Sequence, residues 1–208
     1  MKRILCYGDS NTWGYNPVTQ GRYDEYERWT GQLGLALGGD YHVIEEGLCG
    51  RTTVWDDPLE EYRNGYDYLI PCLESHKPLD LVILALGVND LKMRFSLSAF
   101  DISEGVGVLA RVIQKSDAGP ANGTPQILLL APPPLGKLSA YAEMFAGAEA
   151  KSQKLSGHYT RVAAELRCSF FDTATVIVPS DLDGVHYEKS EHAILGQAMA
   201  NCVKEMLG

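Results

Sequence analysis

Four short polar stretches of the chain carry the residue types that acyl chemistry needs. They are GDSNTWG (8–14), GLCGRTT (47–53), GVND (87–90) and DGVH (183–186). A serine hydroxyl is a weak nucleophile until a positioned imidazole takes its proton, and a carboxylate keeps that imidazole oriented. Ser10, His186 and Asp183 supply these three groups. The stretches therefore predict nucleophilic catalysis by a serine.

His186 is the favoured base because it follows the last predicted strand on a loop. The other histidines start a strand or lie within or at the end of helical segments, namely His42, His76, His158 and His192. Asp183 precedes His186 by three residues, and Gly184 permits the turn that brings its carboxylate to the ring. Asp181 is the competing carboxylate.

Attack on an ester creates an oxyanion, which needs hydrogen-bond donors already in place. The candidates are the backbone N–H of Ser10, the backbone N–H of Gly50 and the side-chain amide of Asn89. Each residue alone also fits an ordinary turn or cap. Asn11, Trp13 and Tyr15, which closely follow the serine, are predicted to contact the substrate. Met144 and Phe145 are predicted to add a further wall, and Asp9 to satisfy backbone donors at the turn.

Five apolar runs of strand length recur along the chain, separated by helical segments. The runs are RILCY, YHVIEE, DLVILAL, QILLLA and CSFFD. The helical segments are 28–39, 56–76 (with Asp57 as cap and Pro58 at its first position), 98–116, 142–167 and 188–207. Alternation of this kind predicts a parallel sheet with right-handed crossovers and helices on both faces.

The predicted fold class is α/β, a three-layer α/β/α sandwich around a five-stranded parallel sheet. We find no repeat or linker, so residues 1–208 are predicted to form one domain. Ligands of such sheets bind at the carboxyl ends of the strands. The four polar stretches each follow a strand or lie on the loop after it, so we expect them to meet at one edge.

Composition narrows the function classes. The net charge of -9 and the pI near 5.0 oppose binding to nucleic acid, and no apolar stretch reaches the ~20 residues of a membrane span. The five cysteines are scattered and never form a CxxC pair. This pattern predicts free thiols in a reducing, cytoplasmic setting rather than a disulfide framework or a zinc site.

Taken together, the four stretches resemble the blocks of the SGNH (GDSL-type) hydrolase superfamily, which is named for its Ser, Gly, Asn and His. They occur in order across residues 8–186. The resemblance implies a flavodoxin-like fold, a Ser10–His186–Asp183 triad, and an oxyanion hole of Ser10, Gly50 and Asn89. It also implies a small ester substrate and no cofactor or metal.

The finer resemblance is to the arylesterase/acyltransferase branch, carried by KRILCYGDSNTWGY, VIEEGLCGRTT and DGVHYEKSEH. It implies hydrolysis of short aryl or alkyl acyl esters, with acyl transfer as a side activity, and a homo-oligomer from dimer to octamer. Asn11 and Gly50 depart from an acyltransferase of that branch, which has an apolar residue and Ala at these positions. Carbohydrate acetylesterase and lysophospholipase- or thioesterase-like activities are alternatives within the superfamily.

Three other functions fit part of the sequence. GVGVLA (105–110) matches a dinucleotide-binding pattern but follows no strand. The fold class alone would suit a flavodoxin-like module that binds FMN. Asp181, Asp183 and His186 are close enough in sequence to suggest a metal-dependent hydrolase.

Overall fold

A computed structural model describes residues 1–208 as a five-stranded parallel sheet in the order β2-β1-β3-β4-β5. The strands are β1 (Lys2–Gly8), β2 (Tyr41–Gly47), β3 (Leu81–Ala85), β4 (Gln126–Ala131) and β5 (Ser169–Asp172). All four pairings are parallel. The predicted sheet is confirmed, and each strand lies within two residues of its predicted bounds.

Six α-helices cover the sheet. They are α1 (Ser10–Trp13), α2 (Trp29–Leu37), α3 (Gly65–His76), α4 (Ala99–Lys115), α5 (Glu149–Leu166) and α6 (Lys189–Leu207). Short 3-10 turns lie at Glu25–Glu27, Asn89–Leu91, Met93–Phe95, Pro120–Asn122 and Thr173–Thr175. None of the helices is long and apolar enough to cross a membrane.

Two hydrophobic cores lie on opposite faces of the sheet. Alternate residues of the central strands point to opposite sides, as strand geometry requires. Leu5, Val82 and Leu129 join the core under α3, α4 and α5, whereas Ile83 and Leu128 join the core under α2 and α6. The three-layer sandwich predicted from the continuously apolar strands is therefore confirmed.

Two predicted helices begin later than the sequence pattern indicated. Helix α3 begins at Gly65, where the Asn64 side chain accepts the N–H of Tyr66. Asp57 does not cap it. The buried Asp57 carboxylate instead accepts the N–H of Leu59 and forms ion pairs with Lys92 and Arg94. Because the Asp57 carboxylate is paired with residues far along the chain, it is not available as a helix cap, and residues 56–63 form a loop.

Helix α5 begins at Glu149, seven residues after the predicted start at 142. Gly147, with a φ of 74°, adopts the left-handed conformation, which ends the turns over residues 140–147 before the helix starts. The segment 142–147 is consequently a loop and lies beside the polar strand ends.

Candidate active site

Ser10 is the first residue of α1, immediately beyond the end of β1. Asp9 caps this short helix, because its side chain accepts the N–H of Asn11 at 2.9 Å. The structure thus agrees with the structural role predicted for Asp9. Burial raises the pKa of this carboxyl to about 6, against the lowering effect of its hydrogen bond from Asn11.

Two glycines let α1 lie tightly against the strand ends. A Cβ atom on Gly8 would lie 2.1 Å from Oγ1 of Thr12, and a Cβ atom on Gly47 would lie 2.1 Å from the backbone nitrogen of Trp13. These residues are register partners on β1 and β2. Because neither glycine has a side chain, the helix that carries Ser10 can pack directly against the ends of β1 and β2.

His186 reaches Ser10 from the loop that follows β5. Ser10 Oγ lies 2.9 Å from His186 Nε2, and His186 Nδ1 lies 2.8 Å from Asp183 Oδ2. Gly184, with a φ of 75°, makes the turn between the acid and the imidazole. Asp181 is exposed and is not the carboxylate that contacts the ring. All three catalytic candidates are buried within one chain of hydrogen bonds.

The second oxygen of Asp183 holds the loop itself. Asp183 Oδ1 accepts the N–H of Val185 at 2.8 Å and that of His186 at 2.9 Å. Burial alone would raise the pKa of Asp183, but hydrogen bonds from the His186 ring and from these two N–H groups hold the pKa below its usual range. The carboxylate stays ionised beside the imidazole. With both oxygens accepting N–H groups, it is poorly placed as a metal ligand.

Asn11 fastens the histidine loop to α1. Its side-chain nitrogen donates to the carbonyl of Val185 at 3.2 Å, and its side-chain oxygen accepts the N–H of Tyr187 at 3.2 Å. The amide thus contacts the backbone of the residues immediately before and after His186. Asn11 does not line the cleft, contrary to its predicted contact with substrate.

Two of the three candidate oxyanion donors, Gly50 and Asn89, lie on the loops after β2 and β3. Gly50 has a φ of 81°, and the Asn89 side-chain nitrogen donates to the carbonyl of Arg51 at 3.1 Å. Asp90 joins the same two loops, because its carboxylate accepts both the N–H and the hydroxyl of Thr53. Ser10, Gly50 and Asn89 all line one cleft, together with His186.

This cleft has a volume of about 150 Å³ and is lined by both apolar and polar side chains. Its apolar lining residues include Tyr15, Tyr141, Met144, Phe145 and Val185. The Tyr15 ring lies 4.2 Å from the His186 ring and the Tyr141 ring 5.9 Å, measured between centroids. The loop that replaces the predicted start of α5 thus supplies part of the wall.

Cys49, Glu60 and Lys92 also line the cleft. The Lys92 ammonium group lies 3.1 Å from Glu60 Oε1 and 3.4 Å from Asp57 Oδ2. Glu60 and Lys92 were not among the site residues predicted from the sequence. Glu60 lies in a segment that was predicted to be helical. The one signal in the sequence for a place near the site was the position of Lys92, which closely follows GVND.

The structure also shows where three other features of the sequence lie relative to the cleft. Trp13 does not line the cleft: the guanidinium of Arg22 lies over its ring at 5.0 Å. GVGVLA lies inside α4 rather than at a strand-to-helix turn, so the dinucleotide-binding context is absent. His192 is buried in α6, and its Nδ1 accepts the N–H of Trp29.

The fold and the cleft define a hydrolase of the α/β-sandwich class, with a serine and an imidazole at the carboxyl ends of parallel strands. Residues 6–192 match the GDSL-like Lipase/Acylhydrolase family, and the chain belongs to that family. It is an ester hydrolase of the SGNH type. No match was found among curated proteins.

Two solved structures are similar over the full length of both chains. Est24, a carbohydrate acetylesterase from Sinorhizobium meliloti, has 39% identity and a TM-score of 0.96 over 100% of each chain. The native M. smegmatis aryl esterase has 40% identity and a TM-score of 0.96 over 100% of each chain. A lipolytic G-D-S-L family protein from Veillonella parvula, with 14% identity, 100% and 98% coverage and a TM-score of 0.69, shares the fold.

Proposed function

We propose that the chain hydrolyses short-chain acyl esters, acetates above all, through Ser10 as nucleophile, His186 as base and Asp183 as the group that orients the base. The carrying observation is the pair of contacts on the His186 ring, 2.9 Å to the Ser10 hydroxyl and 2.8 Å to the Asp183 carboxylate. An ionised Asp183 accepts the Nδ1–H, so Nε2 is left to accept the serine proton.

The proposed reaction proceeds through an acyl-enzyme. Ser10 Oγ attacks the ester carbonyl as its proton passes to His186, and the new oxyanion accepts hydrogen bonds from the N–H groups of Ser10 and Gly50 and from the Asn89 amide. His186 then protonates the leaving alcohol or phenol. A water molecule, deprotonated by the same imidazole, attacks the acyl carbon. The bond to Ser10 Oγ then breaks as His186 returns the proton to that oxygen, and the acid is released.

The size and lining of the cleft support a small acyl group. The volume of the cleft is about 150 Å³, and Met144 and Phe145 are among its apolar lining residues. We expect p-nitrophenyl esters to be hydrolysed fastest as acetate and butyrate, with a steep fall for longer chains. Equal rates for acetate and decanoate would contradict the small acyl site and would favour a lysophospholipase- or thioesterase-like substrate.

An acetylated carbohydrate is the second candidate substrate. Glu60 and Lys92 place hydrogen-bonding groups on the cleft wall, where hydroxyls of a sugar leaving group would find partners. Est24, which is described as a carbohydrate acetylesterase, is 39% identical. A glucose that carries one O-acetyl group and keeps its other hydroxyls free, compared with p-nitrophenyl acetate, separates the two. If Glu60 and Lys92 bind the sugar, a Glu60→Gln variant should lose rate on the acetylated glucose and keep its rate on p-nitrophenyl acetate.

Loss of the serine hydroxyl tests the catalytic assignment. We expect Ser10→Ala and His186→Ala to lose at least about 1000-fold in kcat on p-nitrophenyl acetate, since each removes a member of the triad. His42→Ala, at an exposed strand position, is the matched control and should keep its activity. Near-normal turnover by Ser10→Ala would refute the assignment. In a separate experiment, covalent labelling of the wild type by a fluorophosphonate distinguishes a serine mechanism from a metal-dependent one.

Three further proposals accompany this function. An alcohol in place of water would give acyl transfer, which we propose as a side reaction. A cytoplasmic setting is supported by the five free cysteines. From the family resemblance we propose that the chain assembles into a homo-oligomer, from dimer to octamer, and light scattering on the purified chain measures its size. We also propose that it has no nucleic acid or membrane partners.

A further inference from the structure

Three metal-binding side chains meet outside the catalytic cleft, between the edge strand β2 and helix α3. Cys72 and His76 are four residues apart on α3, so they lie on one face of the helix. Glu46 is the penultimate residue of β2. The Cys72 sulfur, a His76 ring nitrogen and a Glu46 carboxylate oxygen all lie within 4.8 Å of one another.

Although the scattered cysteines predicted no zinc site, we propose that this Glu46–Cys72–His76 cluster, whose members come from two elements far apart in the sequence, binds a zinc ion. Thiolate, imidazole and carboxylate are all ligands that Zn²⁺ uses, and three protein ligands plus an open position is a common arrangement. The ion would complete a site that the catalytic proposal does not use, because none of these residues lines the cleft.

The spacing of the three groups needs little adjustment to hold the ion. Zinc–ligand bonds of about 2.0–2.3 Å in a tetrahedron place neighbouring ligand atoms about 3.3–3.8 Å apart. Glu46 Oε1 and His76 Nε2 now lie 2.8 Å apart, in direct hydrogen-bond contact. Small rotations of these two side chains, which are 19% and 28% exposed, would open that distance.

The buried thiol makes the site selective for a thiophilic metal. Cys72 is buried, and its thiol has to release its proton to solvent as the sulfur–metal bond forms. Zn²⁺ and Co²⁺ bind thiolate strongly enough to do so, whereas Mg²⁺ and Ca²⁺ prefer oxygen ligands.

The ligands themselves balance the charge of such a site, because a thiolate and a carboxylate offset the two charges of the ion. The Arg51 guanidinium, which lies 4.1 Å from the Tyr7 ring centroid, also donates to the backbone carbonyls of Glu46 and Gly8. Arg51 follows Gly50, and its own carbonyl accepts the Asn89 amide. The proposed ion would thus lie behind the loop that carries an oxyanion donor.

Titration of the purified full-length chain with Co²⁺ and Zn²⁺ tests the proposal. We expect one ion per chain, a thiolate-to-cobalt charge-transfer band, and displacement of Co²⁺ by Zn²⁺. Mutation of a residue that only hydrogen-bonds to a metal ligand typically lowers metal affinity about 10–100-fold. Cys72→Ala and His76→Gln each remove a ligand itself, so we expect each to lower the affinity at least about 100-fold. Cys72→Ala should also abolish the charge-transfer band.

Matched controls separate this site from surface binding. Cys202→Ala and His42→Gln change a half-buried thiol and an exposed imidazole elsewhere, and both should bind zinc like the wild type. Absence of a bound ion, or equal affinity in the wild type and His76→Gln, would overturn the proposal. His76 is partly exposed, so this variant decides the question even if Cys72→Ala fails to fold. The outcome is independent of the esterase assignment, because the readout is metal binding.

Discussion

Asp183 does two separate things with its two carboxylate oxygens. One oxygen accepts Nδ1–H of His186, and the other accepts the N–H groups of Val185 and His186. The first contact selects the imidazole tautomer that leaves Nε2 free to accept a proton. The second holds the backbone turn that carries the ring. A single side chain therefore links loop geometry to the proposed proton transfer.

An Asp183→Asn variant should separate these two contributions. The amide oxygen can keep both backbone hydrogen bonds, but the amide nitrogen then faces Nδ1 and places the imidazole proton on Nε2. That tautomer donates to Ser10 rather than accepting its proton. We expect kcat on p-nitrophenyl acetate to fall on the order of 10⁴-fold.

The same variant should keep a thermal unfolding midpoint close to that of the wild type, measured by circular dichroism. Asp181→Asn is the matched control, since Asp181 is exposed and does not contact the ring. Full activity in Asp183→Asn, or an equal loss in Asp181→Asn, would contradict the assignment of the orienting carboxylate.

Single residues differed in how well the sequence indicated their positions. The positions of Ser10, Gly50, Asn89 and His186 follow from chain order, because all of them come after strands of one parallel sheet. The direction of a side chain does not follow in this way. Trp13 comes soon after Ser10, but the turn of α1 places its ring against Arg22 and away from the cleft.

At the scale of elements, strands were predicted more accurately than helix starts. A buried parallel strand reads as a continuous apolar run, and QILLLA is β4 over its whole length. The start of a helix depends on partners that lie far along the chain. Asp57 followed by Pro58 is a good local start signal, yet the ion pairs of Asp57 with Lys92 and Arg94 outweigh it. Local sequence does not contain that information.

The contact between α1 and the end of β2 should be intolerant of one added methyl group. In Gly47→Ala the new Cβ atom would lie 2.1 Å from the Trp13 nitrogen, so α1 has to move. We expect the free energy of unfolding, measured in urea, to fall by about 1–3 kcal/mol. Displacement of the helix that carries Ser10 should lower kcat by up to about 100-fold.

Gly39→Ala is the matched control for this packing argument. A Cβ atom at Gly39 would meet nothing within 4 Å, and the residue lies just before the same strand. Stability and kcat should both stay close to wild type. If Gly47→Ala were equally silent, the close approach of α1 to β2 would not be what places the serine.

On the scale of the whole molecule, the hydrophobic core under α2 and α6 packs around a histidine that resists protonation. His192 is fully buried between α6 and α2, and its Nδ1 accepts the Trp29 N–H, so the proton of the neutral ring is on Nε2, which has no partner. The rings of Tyr23 and Tyr187 meet it edge to face. Burial, with the nearby charge of Arg28, lowers the pKa of His192 to about 4.

This depressed pKa makes the stability of the fold depend on pH. The unfolded chain binds a proton at His192 below about pH 6.5, whereas the folded chain does so below about pH 4. Between these values the unfolded state binds more protons, so falling pH favours unfolding. The stabilising contribution of the neutral ring is complete above about pH 6.5 and is lost as the pH falls toward 4.

A His192→Gln variant should lack this dependence, because its side-chain oxygen can accept the Trp29 N–H and carries no titrating group. Between about pH 6 and about pH 4.5, the wild type should lose about 1.4 kcal/mol of unfolding free energy per pH unit relative to the variant. Asp9 and Asp90, whose pKa values burial raises to about 6, act in the opposite direction but are common to both proteins and cancel in the difference. Urea unfolding at several pH values measures that difference, with His42→Gln as the exposed control. Parallel stability curves for the wild type and His192→Gln would show that the buried ring is not the group that links acid to unfolding.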